Sequence, residues 1–376
     1  MIASSPDAPV VVAARRSHVG TVGRGHHDLL APELAAPVLA AVLADVRAHG
    51  VGARPTDVVL GSCTGPRGNI ARISALAAGL GVDVPGVTID RQCGSGLAAV
   101  LLAASTVRAG EADLVLAGGV ESASTSSSTT QAAFAPAGFP DPGMGPAADA
   151  LAAARNVSRR RQDDYAERSH ARVVAAQSAG TFATETVRIG SLDRDEHARC
   201  LDPALLARLR PAFTPGGTVT AASSSPISDG SAALALVPER LRGDTAGLRI
   251  VAGAVVGCDP SLPGWGPVPA VRAVLARAGV RLDDVAVVEI VEAFAAQVLA
   301  VTDALGLDAL GTDSARICPD GGALALGHPW GASAAVSVVR LFTRLVRGGA
   351  PAGTLGLATA AIGGGMGVAM LVEVVR

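Results

Sequence analysis

Two side chains and one turn in this sequence have the types and settings for covalent catalysis. Cys93 stands in "VPGVTIDRQCGSGLAAVLLAASTVRAG", residues 84 to 110, where a strand-like run gives way to a helical one. A thiolate at such a junction is favoured by the amino-terminal end of the helix dipole. Gly94 and Gly96 leave room for a substrate to approach closely. The competing reading is a buried structural cysteine, the commonest fate of that residue. A nucleophilic cysteine needs a base. His328, in "PDGGALALGHPWGASAA", is set between Gly327 and Pro329, which suits a sharply turned loop. Whether it meets Cys93 is left to the fold. His18, His26, His27, His49, His170 and His197 lie in polar or terminal contexts that point to solvent-facing side chains. The turn is "IGGGMG", residues 362 to 367. It lacks the Lys-Ser/Thr of a phosphate loop and precedes a strand-like run, "VAMLVEVV", rather than a helix. Bare glycine amides there can instead point at a developing oxyanion.

The elements that must bring these groups together follow α/β patterning. "DVVLGS" (57 to 62), "ADLVLAGG" (112 to 119) and "VAVVEIV" (285 to 291) read as strands buried on both faces. "APELAAPVLAAVLADVRAHG" and "GPVPAVRAVLARAGV" read as helices covering a sheet. From "TSSSTTQAAFAPAGFPDPGMG" to Pro226 the polar and proline content rises, which reads as an insertion with helices around Asp149 to Ala179. Strand patterning resumes at "AALALV" and "LRIVAGAVVG". The regular material thus forms two comparable halves flanking the insertion.

Bulk composition narrows the function. The 376 residues are 49% hydrophobic and 17% charged, ample for a large core spread over more than one domain-sized unit. No lysine is present, so no lysine amine can form a Schiff base. Net charge is −2, and Arg159 to Arg161, followed by Asp163, Asp164 and Glu167, read as a solvated helix start rather than a binding patch. Nucleic acid and anionic membranes are therefore not expected partners. No run approaches the roughly 18 apolar residues of a membrane span, and the amino terminus lacks a signal-peptide pattern. Five cysteines without C-x-x-C spacing argue against disulfides and a zinc site, so no metal is expected and a cytoplasmic location is.

Taken together, the stretches "VVVAARRSHVG", "DRQCGSGLAAV", "GGVESAS", "LRPAFTPGGTVTA", "VEAFAAQ", "GGALALGHPWGAS" and "IGGGMGVAM" resemble the thiolase family in type and order, nearly end to end. The resemblance implies the thiolase fold, two similar α/β halves in a five-layered αβαβα arrangement with an inserted loop domain. It places the amino-terminal half at 1–120, the insertion at 121–226, a return to the first half at 227–247 and the carboxy-terminal half at 248–376. It implies a coenzyme A thioester, or an acyl-carrier protein, as acyl donor, no permanently bound cofactor, and a subunit that assembles. Before Met144 the chain is shorter than in tetrameric members, which favours a homodimer. Cys93 matches the cysteine that accepts the acyl group and His328 the histidine that activates it. The amides of Cys93 and Gly363 match the oxyanion hole. Met144, Phe213, Ala221, Ser225 and Phe294 match positions lining the acyl and pantetheine tunnel, and Arg199 is a weaker match to one meeting the nucleotide.

The pattern breaks at two places. A typical thiolase has a second cysteine before Ile-Gly-Gly-Gly, which removes a Cα proton, and an asparagine before Glu-Ala-Phe, which holds a water at the enolate. Here those positions are Ala361 and Val291. Losing a positioned general base typically costs about 10²–10⁴ in rate. Cys318 and Asp320, near His328 in sequence, stand where the family has asparagines, as a relocated base or as structural replacements. Three readings remain: an acyltransferase that loads Cys93 without ordinary Claisen chemistry, a Claisen enzyme with a relocated base, and a degenerate binding subunit.

Overall fold

The computed structural model describes residues 5–65, 68–126 and 133–376. The Ser/Thr-rich stretch 127–132 of the expected insertion lies outside the described residues. Nine strands form the path of one mixed sheet: β1 (Pro9–Ser17), β2 (Asp57–Gly61), β3 (Val87–Ile89), β4 (Val115–Ser122), β5 (Ser228–Pro238), β6 (Gly247–Gly257), β7 (Val285–Ile290), β8 (Leu355–Ile362) and β9 (Met366–Val375). Their spatial order is β3-β2-β4-β5-β1-β6-β9-β8-β7. The first five belong to one half and the last four to the other. The halves join where β1 pairs with β6 through Val10–Arg249 and Val11–Leu248.

Helices lie against both faces. In chain order they include α1 (Ala31–Ala48), α2 (Ile70–Ala77), α3 (Ser95–Arg108), α4 (Met144–Ala154), α5 (Arg159–Ser178), α6 (Pro267–Ala278), α7 (Ala295–Ala304) and α8 (Trp330–Leu341). Leu34 and Leu39 of α1 and Ile70 of α2 pack on Val58, Leu60 and Leu116 of the first half. Val271 and Val274 of α6 and Leu299 of α7 pack on Val288 and Leu371 of the second. Between the halves, Leu97 and Val100 of α3 and Ala335 and Val338 of α8 meet side chains from both, Leu234 on one side and Met370 on the other. The result is five layers, αβαβα. The aromatic-poor composition suits the central layer, because a Cβ added at Gly96 would come within 2.9 Å of Ala335. Only small residues allow α3 and α8 to approach that closely.

Between Ser122 and Ser228 the chain runs off the sheet path through α4 and α5, meeting the sheet only where Thr186 and Val187 pair in parallel with Arg16 and Ser17 of β1. The strand expected over 112 to 119 begins at Val115 and continues to Ser122, because its pairing with β5 runs to Asp229. Glu121 thereby becomes a fully buried carboxylate inside a strand. Arg160 is exposed and Arg161 half-exposed, while Arg159 is turned further inward. Arg159 donates to the carbonyls of Leu206 and Leu209, and Arg161 pairs with Asp303 of α7 at 2.8 Å.

Candidate active site

Cys93 lies on the single turn Gln92–Gly94 between β3 and α3. Ser95 holds that turn: its Oγ accepts from the Arg91 N–H and donates to the Gln92 carbonyl, both at 2.7 Å. A Cβ at Gly94 would fall 2.4 Å from Ile362, and one at Gly96 2.9 Å from the Gly331 carbonyl. The turn is therefore wedged between the end of β8 and the start of α8. His328 precedes α8 by two residues, so the turn carrying Cys93, the lead into α8 and the start of the glycine turn are neighbours in the fold.

His328 is held from three sides. Its backbone N–H donates to the Pro226 carbonyl at 3.1 Å and to Ser228 Oγ at 3.2 Å. Its Nδ1 is 2.7 Å from Ser333 Oγ, which in turn donates to the Pro329 carbonyl at 2.9 Å. A serine hydroxyl has one proton. With that proton on Pro329, Ser333 accepts from Nδ1–H and the Nε2 lone pair is left free. Nε2 has no hydrogen-bond partner. This is the tautomer a base acting through Nε2 requires.

Both groups are neutral at rest. Cys93 keeps some surface exposure yet is densely surrounded, and this desolvation pushes its thiol up to about 12, with Glu121 and Asp90 acting in the same direction against its own backbone N–H. Burial lowers His328 to about 4. The expectation that the helix amino terminus would favour the thiolate is corrected here, since desolvation of the anion outweighs it.

The glycine turn closes the β8–β9 hairpin in three residues, Gly363 to Gly365, with Ile362 paired to Met366. Gly364 and Gly365 have φ of 82° and 79°, which only glycine adopts without strain. At Gly363 a Cβ would lie 3.1 Å from the Phe134 ring, so this residue of the insertion packs on the turn. Ala361 lies in β8 of this hairpin, opposite Gly367, and Val291 just after β7; both are buried, at 4% and 3% exposure. The Val291 N–H donates to the Thr359 carbonyl at 3.0 Å.

Neither sequence-level substitute is free to act. Cys318 is fully buried, with Sγ 3.4 Å from both the N–H and the carbonyl of Ile290, and its thiol is pushed well up by burial. Asp320 is committed to Arg340 and Arg344.

The residues expected to line a tunnel fall into two groups. Phe213 and Phe294 meet edge to face at 5.9 Å, and Phe213 packs over Gly145 beside Met144. Ser225 donates to the Ala293 carbonyl at 3.0 Å, Ser224 bridges to Phe294 and Ile227 bridges to His328. The segment carrying Ala221 and Ser225 thus runs from Phe294 to the candidate base. Arg199 is exposed and lies instead against His170 and His197, bonded to no residue of that segment. His26 and His170, expected to face solvent, are buried; His26 Nε2 meets the His18 carbonyl, and His170 Nδ1 accepts from the Arg199 N–H. Polar neighbours in sequence did not reveal these backbone partners.

Three contributors escaped the sequence. Ser333, one turn into α8, was the most findable, because it follows Pro329 by four residues. Glu121 accepts from the N–H groups of Cys63, Thr64 and Gly331, tying β4 to the start of α8. Phe134 had no signal, since its contact depends on the path of the insertion.

Comparisons with known proteins agree with this architecture. The thiolase N-terminal domain matches residues 9–240 and the thiolase C-terminal domain residues 245–374. The chain belongs to the thiolase family, and it is an acyltransferase of that family. A putative acetyl-CoA C-acetyltransferase, YhfS, of Bacillus subtilis is 42% identical over 372 residues, covering 97% of this chain and 99% of its own. Beta-ketothiolase BktB of Cupriavidus necator is 37% identical, covering 97% and 98%. The crystal structure of the Bacillus anthracis acetyl-CoA acetyltransferase superposes with a TM-score of 0.88 at 35% identity, covering 98% of this chain and 99% of that one. Among the described residues no helix is long and apolar enough to cross a membrane.

Proposed function

We propose that this protein takes an acyl group from a coenzyme A thioester, or from an acyl-carrier protein, onto Cys93 and passes it to an acceptor that needs no Cα deprotonation. His328 Nε2 takes the thiol proton as Sγ attacks the thioester carbonyl, and the amides of Cys93 and Gly363 receive the oxyanion. Collapse breaks the carbon–sulfur bond to the donor, whose thiolate takes the proton back from His328. An oxygen, nitrogen or already activated carbon nucleophile then attacks the acyl-cysteine carbonyl, His328 taking the proton of an O–H or N–H nucleophile; collapse breaks the carbon–Sγ bond, and the Cys93 thiolate recovers a proton, from His328 where it holds one. Met144, Phe213, Ala221, Ser225 and Phe294 serve as walls for the donor, Arg199 as a contact for its nucleotide end, and the subunit as half of a homodimer.

One observation carries the reading. The turn carrying Cys93 packs on Ile362 and on the start of α8, next to His328 in the chain, while positions 361 and 291 hold buried hydrocarbon and Cys318 and Asp320 are occupied elsewhere. Intact mass after incubation with a panel of acyl-CoAs tests it. A covalent adduct is expected on the wild type and absent from Cys93→Ala. No adduct with any donor would point to a binding subunit instead.

A further inference from the structure

Behind His328 lies a small cavity of about 20 Å³, lined in part by Glu289, Val291, Ser333, Ser337 and Arg340. That is room for about one water. Two polar groups reach it without partners. Glu289 is 3% exposed and forms no hydrogen bond or ion pair within the described structure. Arg340 spends its terminal nitrogens on Glu185 and Asp320, but its Nε–H is buried and unpaired. Ser333 has one lone pair left after accepting from His328 and donating to Pro329. A buried carboxyl and guanidinium N–H left unsatisfied would each cost stability.

We propose that one water in this cavity joins Glu289 and Arg340 to Ser333, which makes Glu289 a positioning residue for His328. The water accepts from Arg340 Nε–H and from the Glu289 carboxyl, and donates to Ser333 Oγ. Ser333 is then fully committed, its proton stays on Pro329, and the imidazole is locked with Nε2 unprotonated. The proposal rests on His328 being the base of the site. Burial raises Glu289 to about 8; Arg340 opposes this, Asp320 and Glu292 add to it, and Arg344 opposes it. At neutral pH the group is a carboxylic acid and a glutamine can replace it. Above that pH the carboxylate, on the Ser333 side of the ring, favours a protonated His328.

The test is the rate of Cys93 alkylation by iodoacetamide against pH, followed by peptide mass spectrometry. It needs no acyl donor, so it is independent of whether acylation occurs. At pH 7, Glu289→Gln is expected within about twofold of wild type and Glu289→Leu about tenfold slower, the scale of one lost hydrogen bond. The wild-type profile is expected to rise through an additional step near pH 8 that Glu289→Gln lacks. A Leu variant as fast as wild type, or a step that survives in the Gln variant, would overturn the proposal. Should the Leu variant not fold, the Gln profile decides alone.

Discussion

At the scale of single residues, burial at the candidate site favours the uncharged forms of Cys93 and His328. With the thiol pushed up to about 12 and the imidazole down to about 4, the neutral pair is favoured in the resting protein. In the proposed mechanism, proton transfer is then coupled to bond formation at the carbonyl, where the proposed oxyanion donors take up the charge. Thiolate ultraviolet absorbance at neutral pH, measured as wild type minus Cys93→Ala, is therefore expected to be nil. A thiolate signal near neutrality would mean that a preformed Cys93–His328 ion pair exists. Ala361 and Val291 stand out in sequence because they are the departures from otherwise matching motifs, and the proposal rests on them. Ser333 and Glu121 are not legible, since a hydroxyl or carboxylate becomes part of a site only through a geometry that spans distant segments.

At the scale of elements, a buried ionic cluster fixes α8 and the insertion against the sheet. Arg16 of β1 is fully buried, bound to Glu185 at 2.8 Å and to Asp195 at 2.7 and 3.0 Å, and Glu185 also pairs with Arg340. The Phe182 ring lies between the two guanidiniums, 5.0 Å from Arg16 and 4.4 Å from Arg340. Removing one member strands buried carboxylates, which typically costs about 3–5 kcal/mol. Arg16→Met is expected to lower the denaturant midpoint by a corresponding amount; an unchanged midpoint would remove this cluster from the account. Strands and covering helices were readable from periodicity because their apolar faces are continuous. This cluster was not, because its four charged residues are scattered from β1 to α8 and nothing local marks them as partners. The strand at Val115–Ser122 was misplaced for the same reason: its end is set by pairing with β5 and includes a glutamate.

At the scale of the whole molecule, buried neutral histidines set the acid limit of stability. Burial lowers His170 to about 3 and His328 to about 4, against an ordinary value of 6.5. Below 6.5 the unfolded chain binds protons that the folded one refuses. Stability is thus fully present above that pH and is lost as pH falls toward 3. Urea midpoints measured across this range are expected to fall less steeply in His170→Gln than in wild type. Equal slopes would show that His170 carries no such linkage. The five-layer architecture was inferable from ordered motifs spread along the chain, whereas the exact departure of the insertion after Ser122 was not.

The division of labour between loading and carbanion chemistry is tested most directly by acetyl-CoA in deuterium oxide. Cys93 acetylation is followed by intact mass, and deuterium entry into the acetyl methyl group by proton NMR in the same sample. Acetyl-Cys93 should accumulate while the methyl group of acetyl-CoA stays protonated, and Ala361→Cys with Val291→Asn should switch the exchange on. Methyl deuteration by the wild type as fast as acetylation would contradict the account.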